Sequence, residues 1–483
     1  MRLSAEQIAR LTAGQLLESV PGSNPVAQGI TWDSREVAPG NLYVALKGQR
    51  VNGHDFVAAA FGSGAKVALV CEEPTPQALD AVREHGGALV RVEDTYRAVT
   101  DLARGWRQLL SGRVIGLTGS TGKTTTKNLV RDVLSAHMSV VATRANQNNE
   151  LGVPRTLLSA QQGTEAVVVE MGMRGLDQIS GLCSFVQPSW GIITNVGTSH
   201  MELLGSRENI ARAKAELMSA LPDGKGVAFL NGADPFTPLV REVARLDQRG
   251  VQVVVYDGAP NAQDRATKDD RVWAEGISLD DQGRASFTLR VSGSQELAVP
   301  CILALRGLHN VQNACAAAAV GWKAGMDLSL IAQALSQAQP ESGRQEITLS
   351  SRGFTVMNDA YNANPDSMRA SLQTFCALQV PGRRIAVLGD MGELGDFEEQ
   401  GHCQTGALAA SLPLDLLVCV GPLSRSMARS AREAGMDASS VLCVDQAQEA
   451  LELVDPLLEE GDALLVKASH YMGLEKIAEG LVR

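Results

Sequence analysis

The 483-residue sequence has no paired cysteine motif, no long apolar run and no excess of positive charge. Its eight cysteines are scattered without a CxxC pair, which argues against a disulfide framework or a zinc site and favours reduced thiols. No stretch approaches the ~18 uninterrupted apolar residues of a membrane span, and no signal peptide is indicated, so we expect a cytoplasmic protein. A formal net charge of −11 disfavours nucleic acid as the main partner.

The chain is long enough for about three domains of roughly 100–200 residues each. Short apolar runs alternate with helical patterns throughout, which is typical of parallel sheets covered by helices, so the predicted fold class is α/β. We divide the chain into blocks at 1–93, 94–340 and 341–483. The third block predicts a second, Rossmann-like, doubly wound domain. The polar run 258–271 is predicted to be a surface loop.

The segment Val114–Leu134 predicts a strand, a glycine-rich turn and a helix, in that order. In such a unit the turn's N–H groups face a nucleotide's phosphates, Lys123 reaches the terminal phosphates and the Thr124 hydroxyl binds Mg²⁺. The loop is a variant, because Leu117 stands where the strict pattern has a glycine. A chance glycine-rich turn is the alternative. The residues predicted to bind the nucleotide here are Gly119, Ser120, Thr121, Gly122, Lys123, Thr124 and Thr125.

Two side chains follow apolar strands, at the sheet edge where ligands bind in such folds. Glu170 ends the run VVVE and is a candidate Mg²⁺ ligand, since Mg²⁺ takes carboxylate oxygens together with substrate phosphates. His200 follows GIITNVG and is a candidate metal ligand or anion donor. The alternatives are a carboxylate in solvent and a structural histidine.

Lys214 lies in the middle of the apolar stripe of a predicted helix, ENIARAKAELMSAL. Burial disfavours the ammonium form, and a neutral amine can react with carbon dioxide to give a carbamate, which would act as a carboxylate-like Mg²⁺ ligand. Alternatively the side chain snorkels, with its stem packed and its ammonium in water. Helix geometry alone favours snorkelling.

Two further segments carry polar side chains at element ends. The loop DAYNANP follows a strand in the third block, and loops of this kind often hold ligands. The segment RGLHNVQNACAAAA places His309, Asn310 and Asn313 at the start of a small-residue helix. Their amides would read the edge of a base or cap the helix.

Nine motifs, taken together and in order, resemble the Mur ligase family across all three blocks. They are TGSTGKTTT, ANQNNELGVP, VVVEMG, TNVGTSHMELLGS, ENIARAKAE, GLHNVQNA, SGRQE, NDAYNANPDSM and LGDMGELG. The resemblance implies a UDP-substrate-binding N-terminal domain at 1–93, a central ATP-binding catalytic domain at 94–340 and a closing domain at 341–483. Variant phosphate loops of this kind are usual in the family.

The resemblance also implies roles for single residues. Thr124 and Glu170 would hold one Mg²⁺, and His200 with carbamylated Lys214 would hold a second, so the resemblance reverses the preference for snorkelling. The expected catalytic residues are Lys123, Lys214, His200 and Glu170. Asn310 and Asn313 would face the adenine of ATP, and Arg344 and Asp359 would contact the nucleotide from the closing domain.

The substrate sites follow from the same resemblance. The UDP site would use Ser34, Arg35, Gly53 and His54, and the peptide substrates would lie near Asn148, Asn149, Asn362 and Asn364. The tail VKASHYMGLE departs from the expected KGSR at Ala468 and His470, which leaves the role of an arginine there in question.

The implied reaction is ATP-driven amide formation between the terminal carboxylate of UDP-MurNAc-tripeptide and the amine of D-Ala-D-Ala, through an acyl phosphate, in a monomeric enzyme of peptidoglycan precursor synthesis. The alternatives are a sister ligase that adds the third amino acid, a folylpolyglutamate synthetase, a phosphate-loop switch or motor, and a non-catalytic UDP-sugar-binding protein. The YNANP motif and the absence of a DNPR-like motif disfavour the first two. The sequence leaves open whether the acceptor's third residue is diaminopimelate or lysine.

Overall fold

The structure is a computed structural model that describes residues 1–19, 22–293 and 296–482. It confirms the α/β class, since three mostly parallel sheets follow one another along the chain and helices pack on their faces. No helix among the described residues combines the length and apolar character needed to cross a membrane.

The first block contains a five-stranded sheet in the order β2-β7-β6-β5-β4, in which only β2 is antiparallel to its neighbour, and a small pair of β1 with β3. The run Val67–Val70 is buried along its whole length, as expected for a strand covered on both faces. Its elements are β1 (Arg2–Ser4), α1 (Ala5–Leu11), β2 (Gln15–Ser19), β3 (Val26–Gln28), β4 (Ile30–Thr31), β5 (Leu42–Val44), α2 (Val57–Gly62), β6 (Val67–Val70), α3 (Pro76–Glu84) and β7 (Ala88–Arg91).

The central block is built on one nine-stranded sheet, ordered β16-β15-β14-β13-β12-β11-β8-β10-β9, with the phosphate-loop strand β8 between β11 and β10. Its first elements are α4 (Thr95–Arg107), β8 (Arg113–Thr118), α5 (Lys123–Ser135), β9 (Val140–Ala142), α6 (Gly152–Ser159), β10 (Ala166–Glu170), α7 (Gln178–Val186), β11 (Trp190–Ile193), α8 (Met201–Leu204), α9 (Arg207–Ser219), β12 (Val227–Asn231), α10 (Thr237–Val243) and β13 (Gln252–Asp257).

Three antiparallel strands complete this sheet at one edge, where the sequence had indicated only alternating strands and helices. Strand β15 and the second half of β16 alternate buried with more exposed residues, which is the pattern of a sheet covered on one face, whereas β14 has four consecutive buried residues. The loop predicted at 258–271 is mostly irregular, but its last two residues already belong to β14 and Arg271 is buried. The remaining elements are β14 (Asp270–Leu279), β15 (Arg284–Ser292), β16 (Leu297–Arg306), α11 (Leu308–Lys323) and α12 (Leu328–Gln337).

The third block has a six-stranded sheet, ordered β17-β18-β22-β19-β20-β21, in which only β17 is antiparallel. Apolar clusters cover both of its faces, as the doubly wound interpretation requires. The elements are β17 (Glu346–Leu349), β18 (Thr355–Asn358), α13 (Pro365–Ala377), β19 (Arg384–Gly389), α14 (Glu398–Ala410), β20 (Leu416–Val420), α15 (Ser424–Glu433), β21 (Val441–Val444), α16 (Ala447–Val454), β22 (Ala463–Lys467) and α17 (Glu475–Val482).

Helix α4 joins the first two blocks. Its buried face, which includes Leu102 and Trp106, belongs to an apolar cluster that continues from Leu3 and Ile8 of the first block into the central block. The indole N–H of Trp106 donates to the carbonyl of Ala160 at 3.0 Å. Because α4 packs on both sides, a boundary at residue 93 stays a prediction.

Candidate active site

A cavity of about 1040 Å³ lies between the central and third blocks. The carboxyl ends of β8 and β10 open into it from the central sheet, and those of β18 and β22 from the third block. Ligands bind at this edge in open α/β sheets. Both sheets therefore present their ligand-binding edges to the same cavity.

The phosphate loop connects β8 to α5 at the floor of this cavity. Gly122 has a φ of 72° and lies against Asn313, where an added Cβ would come within 2.7 Å of Asn313 Oδ1, so glycine is required there. The ammonium of Lys123 donates to the loop carbonyl of Gly119 at 2.8 Å. Burial lowers the pKa of Lys123. The free N–H groups at the start of α5 and this lysine are suited to bind a polyphosphate.

Glu170 lies where the sequence predicted it, at the end of β10 beside the phosphate loop. One carboxylate oxygen accepts hydrogen bonds from the Thr124 hydroxyl at 3.3 Å and from the Asn148 amide at 2.9 Å. The other oxygen, Oε2, is buried and has no hydrogen-bond partner among the described residues. The ammonium of Lys127 lies 4.0 Å from Oε2, which is an ion pair but too long for a hydrogen bond, so this buried oxygen could still bind a metal cation.

Lys214 is 1% exposed on α9, which the hydroxyl of Ser206 caps at its N-terminus. Its side chain lines the cavity and is almost fully buried. Snorkelling would place the ammonium in water at the protein surface, so the snorkelling interpretation from helix geometry is wrong. Burial and the nearby positive charge of Lys123 hold the pKa of Lys214 well below its usual value. Both effects favour the neutral amine.

His200 also lines the cavity, on the loop between β11 and α8. Its backbone adopts a left-handed φ of 62°, which is uncommon for a non-glycine residue and indicates a constrained loop. Its Nδ1 lies 2.7 Å from the carboxylate of Glu393 in the third block. Burial lowers the pKa of His200 to about 4, against the opposing effect of Glu393, so the ring is neutral near pH 7.

The N-terminus of α11 packs against the phosphate loop. The hydroxyl of Thr126 donates to the side-chain oxygen of Asn313 at 3.1 Å, and the amide of Asn313 donates to Asn310 at 2.8 Å. The first bond ties α5 to α11, and the second lies within α11. Both asparagines line the cavity, and their role toward the adenine stays a prediction.

The third block contributes a buried ion pair and an aromatic stack. The ammonium of Lys467 donates to the carboxylate of Asp359 at 2.8 Å and to the carbonyl of Asn362 at 2.9 Å. The guanidinium of Arg344 lies 4.1 Å from the centre of the Tyr361 ring. The ring of His470 stacks against Tyr361 with 5.7 Å between their centres. His470 therefore joins this stack at the position where the sequence motif led us to expect an arginine.

Three family models match the chain: "Mur ligase family, catalytic domain" at residues 26–107, "Mur ligase middle domain" at 117–321 and "Mur ligase, glutamate ligase domain" at 343–470. The chain is 36% identical to the UDP-N-acetylmuramoyl-tripeptide--D-alanyl-D-alanine ligase of Mycobacterium leprae, with 99% of this chain and 98% of the relative covered. The chain belongs to the Mur ligase family.

Two further matches span the full length of this Mur ligase. The UDP-N-acetylmuramoyl-tripeptide--D-alanyl-D-alanine ligase of Bacillus subtilis is 34% identical, with 98% of each chain covered. The crystal structure of MurF from Acinetobacter baumannii is 32% identical and superposes with a TM-score of 0.82, covering 100% of this chain and 99% of that one. The similarity therefore extends over all three blocks.

The four asparagines predicted near the peptide substrates of this Mur ligase line the cavity, at two places. Asn148 and Asn149 lie on the loop before α6, where Asn149 accepts from the N–H of Gly152 at 2.9 Å. Asn362 and Asn364 lie on the loop between β18 and α13. Asn364 caps α13 and also donates to the hydroxyl of Ser199 in the central block at 2.7 Å. Peptide contacts by all four stay predictions.

The four predicted UDP-site residues lie in two short segments of the first block of this Mur ligase. Ser34 and Arg35 form a short 3-10 helix, and Gly53 and His54 begin another. His54 Nε2 accepts from the N–H of Cys71 at 3.0 Å, and its Nδ1 lies 2.8 Å from Asn52 Oδ1. Both ring nitrogens of His54 thus have hydrogen-bond partners within the protein. None of the four predicted residues, all in the described part of the chain, lines the cavity between the other blocks.

Sequence reasoning missed three charged residues: Lys467 and Glu393, which line the cavity, and Lys127, which lies beside the cavity residue Glu170. Lys127 is 1% exposed, and its Nζ lies 4.0 Å from Glu170 Oε2. Its place one helical turn after Lys123, on the buried side of α5, is the signal that was used for Lys214 and could have found it. Lys467 ends an apolar strand, as Glu170 does. Glu393 carried no comparable signal, because its contact with His200 crosses between blocks.

Proposed function

We propose that this chain is an ATP-dependent ligase that joins D-Ala-D-Ala to the terminal carboxylate of UDP-MurNAc-tripeptide. The products are the UDP-MurNAc-pentapeptide precursor of peptidoglycan, ADP and phosphate. One observation carries the proposal: the cavity brings the phosphate loop together with Glu170, His200 and Lys214, next to the asparagine loops of two blocks. The full-length relatives named as ligases of these two substrates support it.

In this proposal, the polyphosphate of ATP lies on the loop Gly119–Thr125. The ammonium of Lys123 and the free N–H groups of α5 compensate the charge of the terminal phosphates. Asn310 and Asn313 contact the adenine, while Arg344 and Asp359 meet the nucleotide from the third block. All of these residues line the same cavity, which supports a single nucleotide site.

The residues fit Mg²⁺ at two places. Thr124 and Oε2 of Glu170, which has no hydrogen-bond partner and lies 4.0 Å from the ammonium of Lys127, would hold one ion, because a hydroxyl, a carboxylate and substrate phosphates are the oxygen ligands that Mg²⁺ prefers. The described ranges contain no group of three or more His, Cys, Asp and Glu side chains that could hold a metal ion, and in this proposal the phosphates of the nucleotide supply further ligands. The metal would act as a Lewis acid that compensates phosphate charge.

Lys214 would complete the second place, with His200, as a carbamate. The neutral amine attacks the carbon of carbon dioxide, an N–C bond forms, one C=O bond opens to give a carboxylate-type oxygen and one proton leaves, so that a neutral amine becomes a carbamate anion. The burial of Lys214 and its lowered pKa favour the neutral amine that this step needs. The product would be a carboxylate-like oxygen donor in a cavity that otherwise holds two close lysines.

The chemistry then proceeds in two steps. The tripeptide carboxylate attacks the γ-phosphorus of ATP, which forms an acyl phosphate and releases ADP. The amine of D-Ala-D-Ala attacks the acyl carbon, and the tetrahedral intermediate collapses with loss of phosphate and a proton. Lys123 offsets the repulsion between the two anions in the first step. Docking of the third block over the cavity protects the acyl phosphate from water.

The test is phosphate release from ATP by the purified chain with UDP-MurNAc-tripeptide and D-Ala-D-Ala, each omitted in turn. We expect release that requires both and that yields the pentapeptide, with Lys123→Ala as the inactive control and Lys476→Ala, an exposed lysine, as the active one. Release without either peptide would instead support a phosphate-loop switch or motor.

Size-exclusion chromatography tests the predicted monomer, and cell fractionation tests the cytoplasmic location.

A further inference from the structure

Three consecutive residues of the central block contact three different side chains of the third block. The N–H and hydroxyl of Thr198 donate to Asp366 at 3.2 and 3.3 Å. The hydroxyl of Ser199 accepts from Asn364 at 2.7 Å. His200 Nδ1 lies 2.7 Å from Glu393. The third block therefore holds the whole loop that carries His200.

Glu393 is itself held in place by its surroundings. Its backbone has a left-handed φ of 60°, and its carbonyl accepts from the N–H of Glu202 at 3.3 Å. The next residue but one, Gly395, lies against Glu202, where an added Cβ would meet the Cα at 2.7 Å. A non-glycine residue in this conformation persists only when neighbouring contacts determine it.

The two carboxylate oxygens of Glu393 have different partners. Oε2 faces His200, and Oε1 lies 3.5 Å from the guanidinium of the exposed Arg174. The distance to His200 is that of a hydrogen bond, although the ring N–H points to one side of the oxygen. Attraction between the carboxylate and the ring therefore acts on the Nδ1 edge of the imidazole.

We propose that Glu393 is a positioning residue: from the third block, it holds the Nδ1 edge of His200 so that Nε2 is the nitrogen left for a divalent cation at the nucleotide site. The inference rests on the proposed function. It follows that the second cation place is complete only while the third block is docked, and that docking couples to ATP use.

The physical reason lies in the two nitrogens of a neutral imidazole. One carries the proton and the other is the ligand, and a carboxylate on the first nitrogen fixes the tautomer, fixes the ring and raises the basicity of the second. Without Glu393, the backbone of His200 would stay constrained, but its imidazole ring would be free to rotate. Either ring nitrogen could then carry the proton. Loss of such partners typically costs about 10–100-fold in metal affinity.

The experiment measures Mn²⁺ binding to the full chain by electron paramagnetic resonance, with a non-hydrolysable ATP analogue present. We expect Glu393→Gln, which keeps the size of the side chain, to weaken binding about tenfold or more at the affected site. Glu399→Gln is the matched control, because Glu399 also belongs to the third block and also pairs with an arginine, Arg429, but lies outside the cavity. It should bind Mn²⁺ as the unchanged chain does.

A double-mutant cycle with His200→Ala separates positioning from a general structural role. If Glu393 acts through His200, Glu393→Gln should change Mn²⁺ affinity little once His200 is absent. Wild-type affinity in Glu393→Gln, or an equal loss in both backgrounds, would overturn the inference. Phosphate release by the unchanged chain that ignores both peptides would overturn the proposed function instead, because the Mn²⁺ assay needs neither peptide.

Discussion

The ammonium of Lys467 and the carboxylate of Asp359 are 2.8 Å apart, and both side chains are nearly buried. They extend from the ends of the neighbouring strands β22 and β18, and Lys467 also binds the carbonyl of Asn362. The pair therefore fixes the loop DAYNANP that faces the cavity. A buried pair of this kind is costly to break on one side only.

We expect Lys467→Met to lower the free energy of unfolding of the third block by about 3 kcal/mol, because it leaves Asp359 buried without its partner. Urea unfolding, monitored by hydrogen exchange at the DAYNANP loop, measures the free energy of unfolding of the third block. The double variant with Asp359→Asn should recover part of the loss, since it removes the remaining charge. Additive losses would show that the two side chains act independently.

We expect Lys214→Ala to lower the rate of ligation by about a hundredfold or more, since it removes the proposed carbamate from the nucleotide site. Short carboxylic acids added to this variant should restore part of the activity by occupying the place of the carbamate. The assay is pentapeptide formation, and Lys225→Ala, an exposed lysine after the same helix, is the control. A fully active Lys214→Ala would rule out the carbamate.

Acid should destabilise the chain through His309, whose pKa burial lowers to about 4. The folded state holds this ring neutral, while the unfolded state binds a proton below about pH 6.5. The contribution of the neutral His309 to the free energy of unfolding is thus fully present above pH 6.5. It is lost as the pH falls toward 4, by up to about 3 kcal/mol.

Urea unfolding at pH 7.5 and pH 5 measures this loss in the unchanged chain and in His309→Gln. The variant should show a smaller difference in stability between the two pH values. His137→Gln, at an exposed position, is the control and should leave the difference unchanged. An equal pH dependence in all three proteins would contradict the assignment to His309.

We expect Gly53→Ala to weaken binding of the UDP-linked substrate and to destabilise the first block by about 2 kcal/mol. An added Cβ would come within 2.7 Å of the backbone N and O of Leu46, which cannot move aside as a flexible side chain can. Gly62→Ala is the control, because an added Cβ at Gly62 meets nothing within 4 Å. Isothermal titration with the UDP substrate distinguishes the two variants; equal affinities would place the UDP site elsewhere.

The strand–turn–helix of the phosphate loop could be predicted from residues 114–134 because each part has a local signal: an apolar run, glycines and a helical period. Glu170 and His200 could be predicted because each follows an apolar strand, and strand ends meet at one sheet edge. The three antiparallel strands β14–β16 were missed: β14 has four consecutive buried residues instead of an alternation, and the pairing of the strands is decided by neighbours along the sheet edge.

Lys214 shows how local and tertiary information differ. The sequence placed it on the apolar stripe of a helix, and both burial and snorkelling fitted that stripe. The structure decided for burial, because α9 packs its stripe under the central sheet and leaves the amine facing the cavity. Lys127 is a second case, where the same signal on α5 was available and went unused.

By itself, the sequence determined the α/β class, the phosphate loop, the family and the reaction that the family implies, since these depend on local patterns and on motifs in fixed order. Only the tertiary structure decided which side chains meet: Glu393 with His200, Asn364 with Ser199 and Lys467 with Asp359. These pairs are separated by more than a hundred residues: the first two depend on how the sheets of two blocks dock, and the third depends on the pairing of β18 with β22 within one sheet, neither of which a local pattern specifies.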